Sequence, residues 1–160
     1  MDKNLGKIVI SLTGAGISKS AGIPTKAHLA LAKYYIPIIT MNIDGLHKAA
    51  GSKHVLEIHG NVYEDNVVPY GQQIHYAKES FDLIYKCGMF CVENFIEGTL
   101  LIIGTSMQTQ FANYLAMLAE NADLKVIYIN ENADEEVPKF LNNVNVTYQK
   151  NFLNNVSLFG

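Results

Sequence analysis

Short, continuous apolar runs alternate along the chain with longer stretches in which apolar positions recur every three or four residues. The first run, Ile8-Val9-Ile10 with Leu12, stops at Thr13-Gly14-Ala15-Gly16, which predicts a buried strand turning sharply into a helix. Ala27 to Tyr35 reads as a second helix, with Ala27, Leu31 and Tyr34 on one face, Lys26 and Lys33 left for solvent, and Pro37 as its stop. Ile38-Ile39-Thr40 then forms a short buried strand that opens into a polar turn from Met41 to His47. Val55 to Ile58 alternates enough to predict a half-exposed strand delivering His59-Gly60, and Val67 to Gly71 reads as an edge strand because Pro69 has no amide to donate. His75 to about Phe95 has helical spacing, with Phe81, Ile84, Tyr85 and Met89 as the expected inner stripe and Gly88 as a weak point. Leu100 to Ile103 is the clearest buried strand. A helix from about Thr109 to Asn121, a strand Val126 to Ile129, a short helix near Asp134 to Leu141, a strand Val144 to Tyr148 and a helix from about Phe152 complete the pattern. Alternation of this kind predicts an α/β fold, a parallel sheet covered on both faces with right-handed crossovers.

At 160 residues the chain fits one domain, and a second sizeable one has no room. It is 49% hydrophobic with both charge signs present, as in folded soluble proteins. A net charge of -3 without any basic run argues against nucleic acid as a direct ligand. Thr99 to Gly104 with its flanks falls far short of the roughly 20 apolar residues needed to span a bilayer, so no membrane segment is expected. The Met1-Asp2-Lys3-Asn4 start lacks a signal peptide's apolar core, so secretion is not expected. Cys87 and Cys91, the only cysteines, lack histidines at finger spacing; they are expected to be buried thiols in a reducing cytoplasm, with no metal site among these residues.

Several strand ends carry candidate chemistry. Gly14 and Gly16 allow close approach to the main chain and are expected to free the following amides to point outward toward an anion at a helix start. Lys19 stands where the third glycine of a G-x-G-x-x-G fingerprint belongs, so a plain strand-to-helix turn is an equal reading. Asn42 and Asp44 lie just past a strand's carboxyl end, where open parallel sheets bind ligands; Asp44-Gly45 also reads as an ordinary turn. Gly104-Thr105-Ser106 suits a ribose or phosphate and equally a helix N-cap. Of the histidines His28, His47, His54, His59 and His75, position alone singles out none, and each is expected at the surface or in a cap.

Taken together, GAGIS followed by SAGIP, then MNIDGLH, IHGN, VVPYG, IIGTS and INEN resemble, in order and at matching strand ends, the sirtuins, the NAD-dependent protein deacylases. The resemblance runs from about Lys7 to the tail. It implies a Rossmann-type NAD-binding sheet and a reaction between an acyl-lysine of a protein or peptide and NAD, giving free lysine, nicotinamide and O-acyl-ADP-ribose. On that resemblance His59 is the catalytic histidine, and Asn42 and Asp44, within the Met41-Asn42-Ile43-Asp44 segment, hold the nicotinamide amide and its ribose. Gly14, Ala15, Gly16 and Ile17 match the loop around the pyrophosphate. Gly104, Thr105 and Ser106 match phosphate and ribose contacts on the adenosine side, and Asn130 and Glu131 match contacts to the adenosine ribose. Val68, Tyr70 and Gly71 resemble the edge to which the substrate peptide adds as a strand.

The departures are specific. After GIP the family continues with Asp-Phe-Arg, a long cofactor loop and a helical insert, whereas here Pro24-Thr25-Lys26 runs directly into AHLALAK. After its catalytic histidine the family carries a cysteine zinc ribbon, whereas here Asp65-Asn66 runs into VVPYG. Met41 replaces a glutamine, Gln72 a glutamate and Phe111 a proline. The small zinc-binding and helical domain is therefore absent from the sequence near residues 25–26 and 65–66, and zinc belongs to the protein only if a cysteine module exists outside these residues. The chain is either a naturally minimal sirtuin-like protein or the joined parts of a longer one. Beside deacylation stand two rival readings: ADP-ribosyl transfer or NAD hydrolysis, and a non-catalytic module binding NAD or ADP-ribose.

Overall fold

The computed structural model describes residues 7–19, 22–69 and 71–142. Tyr70, the expected strand at 144–148 and the helix expected from 152 lie outside the described residues. Five strands form one parallel sheet: β1 (Lys7–Thr13), β2 (Ile38–Thr40), β3 (Val55–Glu57), β4 (Gly98–Ile103) and β5 (Lys125–Ile129), in the order β3-β2-β1-β4-β5. The helices are α1 (Lys26–Lys33), α2 (Leu46–Ala49), α3 (Ala77–Glu93), α4 (Gln110–Asn121) and α5 (Ala133–Leu141).

Side chains alternate across the sheet, as strand geometry requires. Ile10, Leu12, Ile39, Leu56, Leu100 and Ile102 join Leu83, Ile84, Cys87 and Leu115 in one core under α3 and α4. Ile38, Val55, Leu101, Ile103 and Ile129 join Ala27, Leu31, Val137 and Leu141 in a second core under α1 and α5. Burial on both faces explains why the strands read as continuous apolar runs. From β1 the chain steps outward to β2 and β3, then returns to place β4 on the other side of β1. The strand order reverses at β1, so the loops after β1, β2 and β3 gather on one side of the sheet's carboxyl edge, with the β4 loop on the other. Among the described residues no helix is long and apolar enough to cross a membrane.

Five expectations are corrected. The helix foreseen straight after Gly16 is a single 3-10 turn, Ala15–Ile17, and the first α-helix waits until Lys26, where Thr25 caps it by accepting from His28 N–H. β3 is fully buried, not half-exposed, because Glu57 meets Lys48 Nζ at 2.8 Å and accepts from Asn61 Nδ2 at 2.9 Å. Val67 to Pro69 form no strand. The inner stripe of α3 is Ser80, Leu83, Ile84, Cys87, Gly88 and Cys91, while Tyr85 and Met89 are 61% and 45% exposed. The rotation follows from Gly88, which is a contact point and not a weak one: a Cβ there would come within 2.5 Å of the Ala122 carbonyl, so α3 lies against the end of α4 through small residues. Phe81 is half-buried and packs on Phe111 and Tyr114, with ring centroids 5.8 and 5.1 Å away.

Candidate functional site

Glycines at two strand ends set the crevice. Gly104 follows β4 at φ +67°, and a Cβ on Gly16 would stand 2.7 Å from Gly104 Cα. Only residues without side chains permit such an approach. The contact is fastened by Gly16 N–H donating to Gly104 O at 2.8 Å and Gly14 N–H to Ile103 O at 2.9 Å, while Gly104 N–H donates to Ile129 O at 2.9 Å. Ile17 and Ser18 amides bond back to Gly14 O and Ala15 O. Against the expectation that the amides after the glycines point outward, those of Gly16, Ile17 and Ser18 are bonded within the chain, and the glycines lock the β1 loop onto the β4 loop.

The β2 turn is tied to the same loop by side chains. Asn42 Nδ2 donates to Gly14 O at 2.9 Å, and Ser18 Oγ donates to Asp44 Oδ2 at 2.7 Å. Asp44 Oδ1 also accepts from Leu46 N–H at 3.1 Å, an Asx-type turn that starts α2 after Gly45 in the left-handed region. Met41 N–H donates to Thr13 O, and the Met41 sulfur lies 4.0 Å from Thr109 Oγ1.

Ala15, Ser18, Met41, Asn42, Ile43, Asp44, His59, Val67 and Val68 together line a cavity of about 420 Å³, within the size range of small-molecule sites. Three strand-end segments and the loop beyond β3 therefore meet in one cleft. Gly14, Gly16 and Ile17 form the loop that carries Ala15 and Ser18. Gly104, Thr105 and Ser106 lie outside the cavity lining, and Thr105 Oγ1 accepts from Met107 N–H at 3.1 Å. The cap of α4 is Thr109, whose hydroxyl accepts from Ala112 N–H, and not Ser106. Asn130 and Glu131 are exposed beyond β5, and Gly71 is exposed at φ +83° outside the cavity.

His59 is half-buried, and burial first, then the neighbouring His75, lowers its pKa below the usual imidazole value. It is consequently neutral near pH 7 and able to accept a proton. His28 sits in the α1 cap, as one of the two default placements has it, whereas His47 is neither at the surface nor in a cap. His28 and His47 are fully buried, with ring centroids 4.8 Å apart. His28 Nδ1 accepts from Thr25 N–H at 3.0 Å, and His47 Nε2 lies 2.8 Å from Thr13 Oγ1, which donates to Thr40 Oγ1 at 2.7 Å. Burial, reinforced by His28 and opposed by Asp44, pushes His47 down to about 3.

Reading the sequence missed Ser18, Val67 and this buried polar chain as parts of the site. Ser18 ends the GAGIS segment, and Thr25 precedes His28 at capping-box spacing; both signals were legible. Among the described residues no three His, Cys, Asp or Glu side chains converge on a metal position.

The Sir2 family profile matches residues 26–130. An NAD-dependent protein deacylase of Aeropyrum pernix is 30% identical over 112 residues, covering 67% of this chain and 45% of the relative. One from Helicobacter pylori is 30% identical over 144 residues, covering 69% and 57%. The chain thus spans about half the length of the curated relatives it matches. Among solved structures, a Sir2 protein bound to a myristoylated histone peptide superposes with a TM-score of 0.68 at 21% identity, over 95% of this chain and 94% of that one. Sir2 with a p53 peptide and NAD+ gives 0.64 at 20%, again over 95% and 94%. At these identities the structural likeness is one of fold: the five-stranded parallel sheet is the Rossmann-type sheet of those proteins.

Proposed function

This chain belongs to the Sir2 family, and we propose that it is an NAD-dependent protein deacylase whose general base is His59. The observation that carries the reading is the cavity itself, in which His59 shares one wall system with Asn42 and Asp44 at the carboxyl edge of the sheet.

The donors and acceptors present fit NAD. With Nδ2 committed to Gly14 O, Asn42 keeps Oδ1 to accept from a carboxamide, and the Asp44 carboxylate, oriented by Ser18 and Leu46, accepts from an amide or ribose hydroxyl. NAD supplies, when bound, the nicotinamide–ribose bond that gives way to the acyl oxygen of the substrate lysine. Asn42 and Asp44 hold and orient the leaving end. His59, neutral because burial disfavours its charged form, takes the proton of a ribose hydroxyl at its free imidazole nitrogen. Ala15, Met41, Ile43, Val67 and Val68 supply the apolar part of the cavity wall. Val68 and Gly71 with Tyr70 supply the peptide edge on this reading. Buried free thiols at Cys87 and Cys91 support a cytoplasmic protein.

A second reading, ADP-ribosyl transfer or NAD hydrolysis, draws on Met41. Its thioether beside Thr109 offers a ribose no strong hydrogen bond, which weakens control over what captures the sugar carbon.

Incubation with NAD and an acetyl-lysine peptide, quantifying nicotinamide and deacetylated peptide together, separates the readings. Equal amounts of both are expected. His59→Ala should lower kcat by about 10²–10⁴-fold and leave NAD affinity within a few-fold. Nicotinamide without deacetylated peptide would replace deacylation by the second reading, and an active His59→Ala variant would remove His59 from its role.

A further inference from the structure

The turn bearing His59 is clamped from both sides. On its N-terminal side the Ile58 carbonyl accepts from the His75 amide at 2.9 Å, and the carbonyl of His59 itself accepts from Val68 N–H at 2.9 Å. On its C-terminal side Gly60, at φ +84°, lies so close under the Asn66 carbonyl that a Cβ would overlap the oxygen. That same Asn66 oxygen is 2.8 Å from His75 Nε2. A carbonyl oxygen only accepts, so Nε2 carries the hydrogen and donates in either charge state of the ring. Asn66 is in turn fixed by its side-chain oxygen, which accepts from Asn61 N–H at 2.8 Å. A single residue that does not line the cavity, His75, therefore grips the turn at both ends, with its main chain on Ile58 and its ring on Asn66.

We propose that His75 is a positioning residue for the reaction assigned to His59: its two hydrogen bonds hold the Ile58–Val68 loop in the shape that presents the His59 ring to the cavity beside Asn42 and Asp44. This rests on the deacylase reading. Displacement of a reacting group by about 1 Å costs on the order of 10²-fold in rate, and nothing else bonded to Asn66 O reaches across to the start of α3. The position also has an electrostatic consequence. Asp44 shares the cavity with His59 and His75 is bonded to its loop, while the loop's own carboxylates, Glu64 and Asp65, are exposed and Glu64 is held by Lys48 at 2.8 Å. Burial first, and the nearby His75 ring second, disfavour a proton on His59.

Two variants separate the roles. His75→Phe keeps the ring bulk and the amide but removes the donor and the charge; His75→Gln keeps a side-chain donor and removes the charge. Thermal unfolding, NAD affinity, kcat on an acetyl-lysine peptide, and the NMR titration of His59 are measured for each. His75→Phe should lower kcat by about tenfold or more with NAD affinity within about twofold, and His75→Gln should recover most of the loss at pH 8. In His75→Gln the His59 titration midpoint should move up. A folded His75→Phe variant with wild-type kcat overturns the proposal. So does a folded His75→Gln variant whose kcat at pH 8 stays below about a tenth of wild type, an arm that stands even when His75→Phe fails to fold. Should the unmodified protein turn over no acyl-lysine, the deacylase reading fails, while displacement of the His59 ring resonances in His75→Phe, which needs no turnover, still decides whether His75 positions His59.

Discussion

Replacing Gly104 by alanine tests the crevice at its narrowest point. Gly104 sits at φ +67°, where a side chain costs about 1 kcal/mol. The new Cβ would also meet Gly16 C at 2.6 Å and Gly16 Cα at 2.7 Å. These are backbone atoms and have no rotamer to yield, so the β1 loop must lift from the β4 loop, an overpacking cost of about 1–3 kcal/mol. Lifting stretches the 2.8 Å bond from Gly16 N–H to Gly104 O, worth about 1 kcal/mol. The sum is a loss of about 3–5 kcal/mol, a large part of the roughly 5–15 kcal/mol that holds a domain folded. Gly51→Ala is the control: Gly51 also has positive φ, +102°, but nothing lies within 4 Å of its would-be Cβ, so only backbone strain of about 1 kcal/mol is expected. Urea unfolding monitored by circular dichroism gives both values from the midpoint and slope. If Gly104→Ala costs no more than Gly51→Ala, the two loops are not locked as described, and the account of the glycines fails.

Stability should fall with acid through His47. Its pKa is about 3 folded against 6.5 unfolded; below 6.5 the unfolded chain takes up a proton that the folded one refuses, so stability present above that pH is lost on acidification, by about 2 kcal/mol between pH 6.5 and pH 5. Urea titrations at the two pH values should show that loss, and His47→Gln should flatten it; an unchanged slope would refute the burial argument. Gly88→Ala, favourable by about 1 kcal/mol on helix propensity alone, should instead lower the thermal midpoint because its Cβ meets the Ala122 carbonyl at 2.5 Å, and a raised midpoint would disprove the close approach of α3 to α4.

Strands β2 and β4 were legible because they are short apolar runs buried on both faces. The face of α3 was not, since spacing alone turns the large side chains Tyr85 and Met89 inward, whereas they are 61% and 45% exposed. What decides the face is the approach to Ala122, a residue 34 positions from Gly88, and sequence spacing on one helix does not carry that. The same holds at the site. GAGIS points to a special loop, but the partner that requires Gly16 is Gly104, so the motif alone suggested amides free for a ligand where the structure shows amides bonded to β4. His59, Asn42 and Asp44 could be named together only through the family resemblance, because their convergence depends on strand order. His75 carried no signal at all, as its partners belong to the loop beyond β3.

Both places where the sequence is shorter than the sirtuin pattern border the cavity, and at both the chain closes on itself through local polar contacts. At the first, Thr25 Oγ1 donates to Ile17 O at 3.2 Å while its backbone N–H bonds His28, so α1 starts directly against the loop that carries Ser18. At the second, Asn61 and Asn66 close the loop, and Lys48 bridges Glu57 and Glu64 at 2.8 Å each. The walls at Ser18 and at Val67 are therefore built from within this chain. On the proposed deacylase reading, partition between acyl capture and water capture at one sugar carbon is the quantity most sensitive to water access past Met41 and these short loops. The ratio of deacetylated peptide to released nicotinamide thus measures how well the shortened connections seal the cavity, and it does so independently of how fast the site turns over.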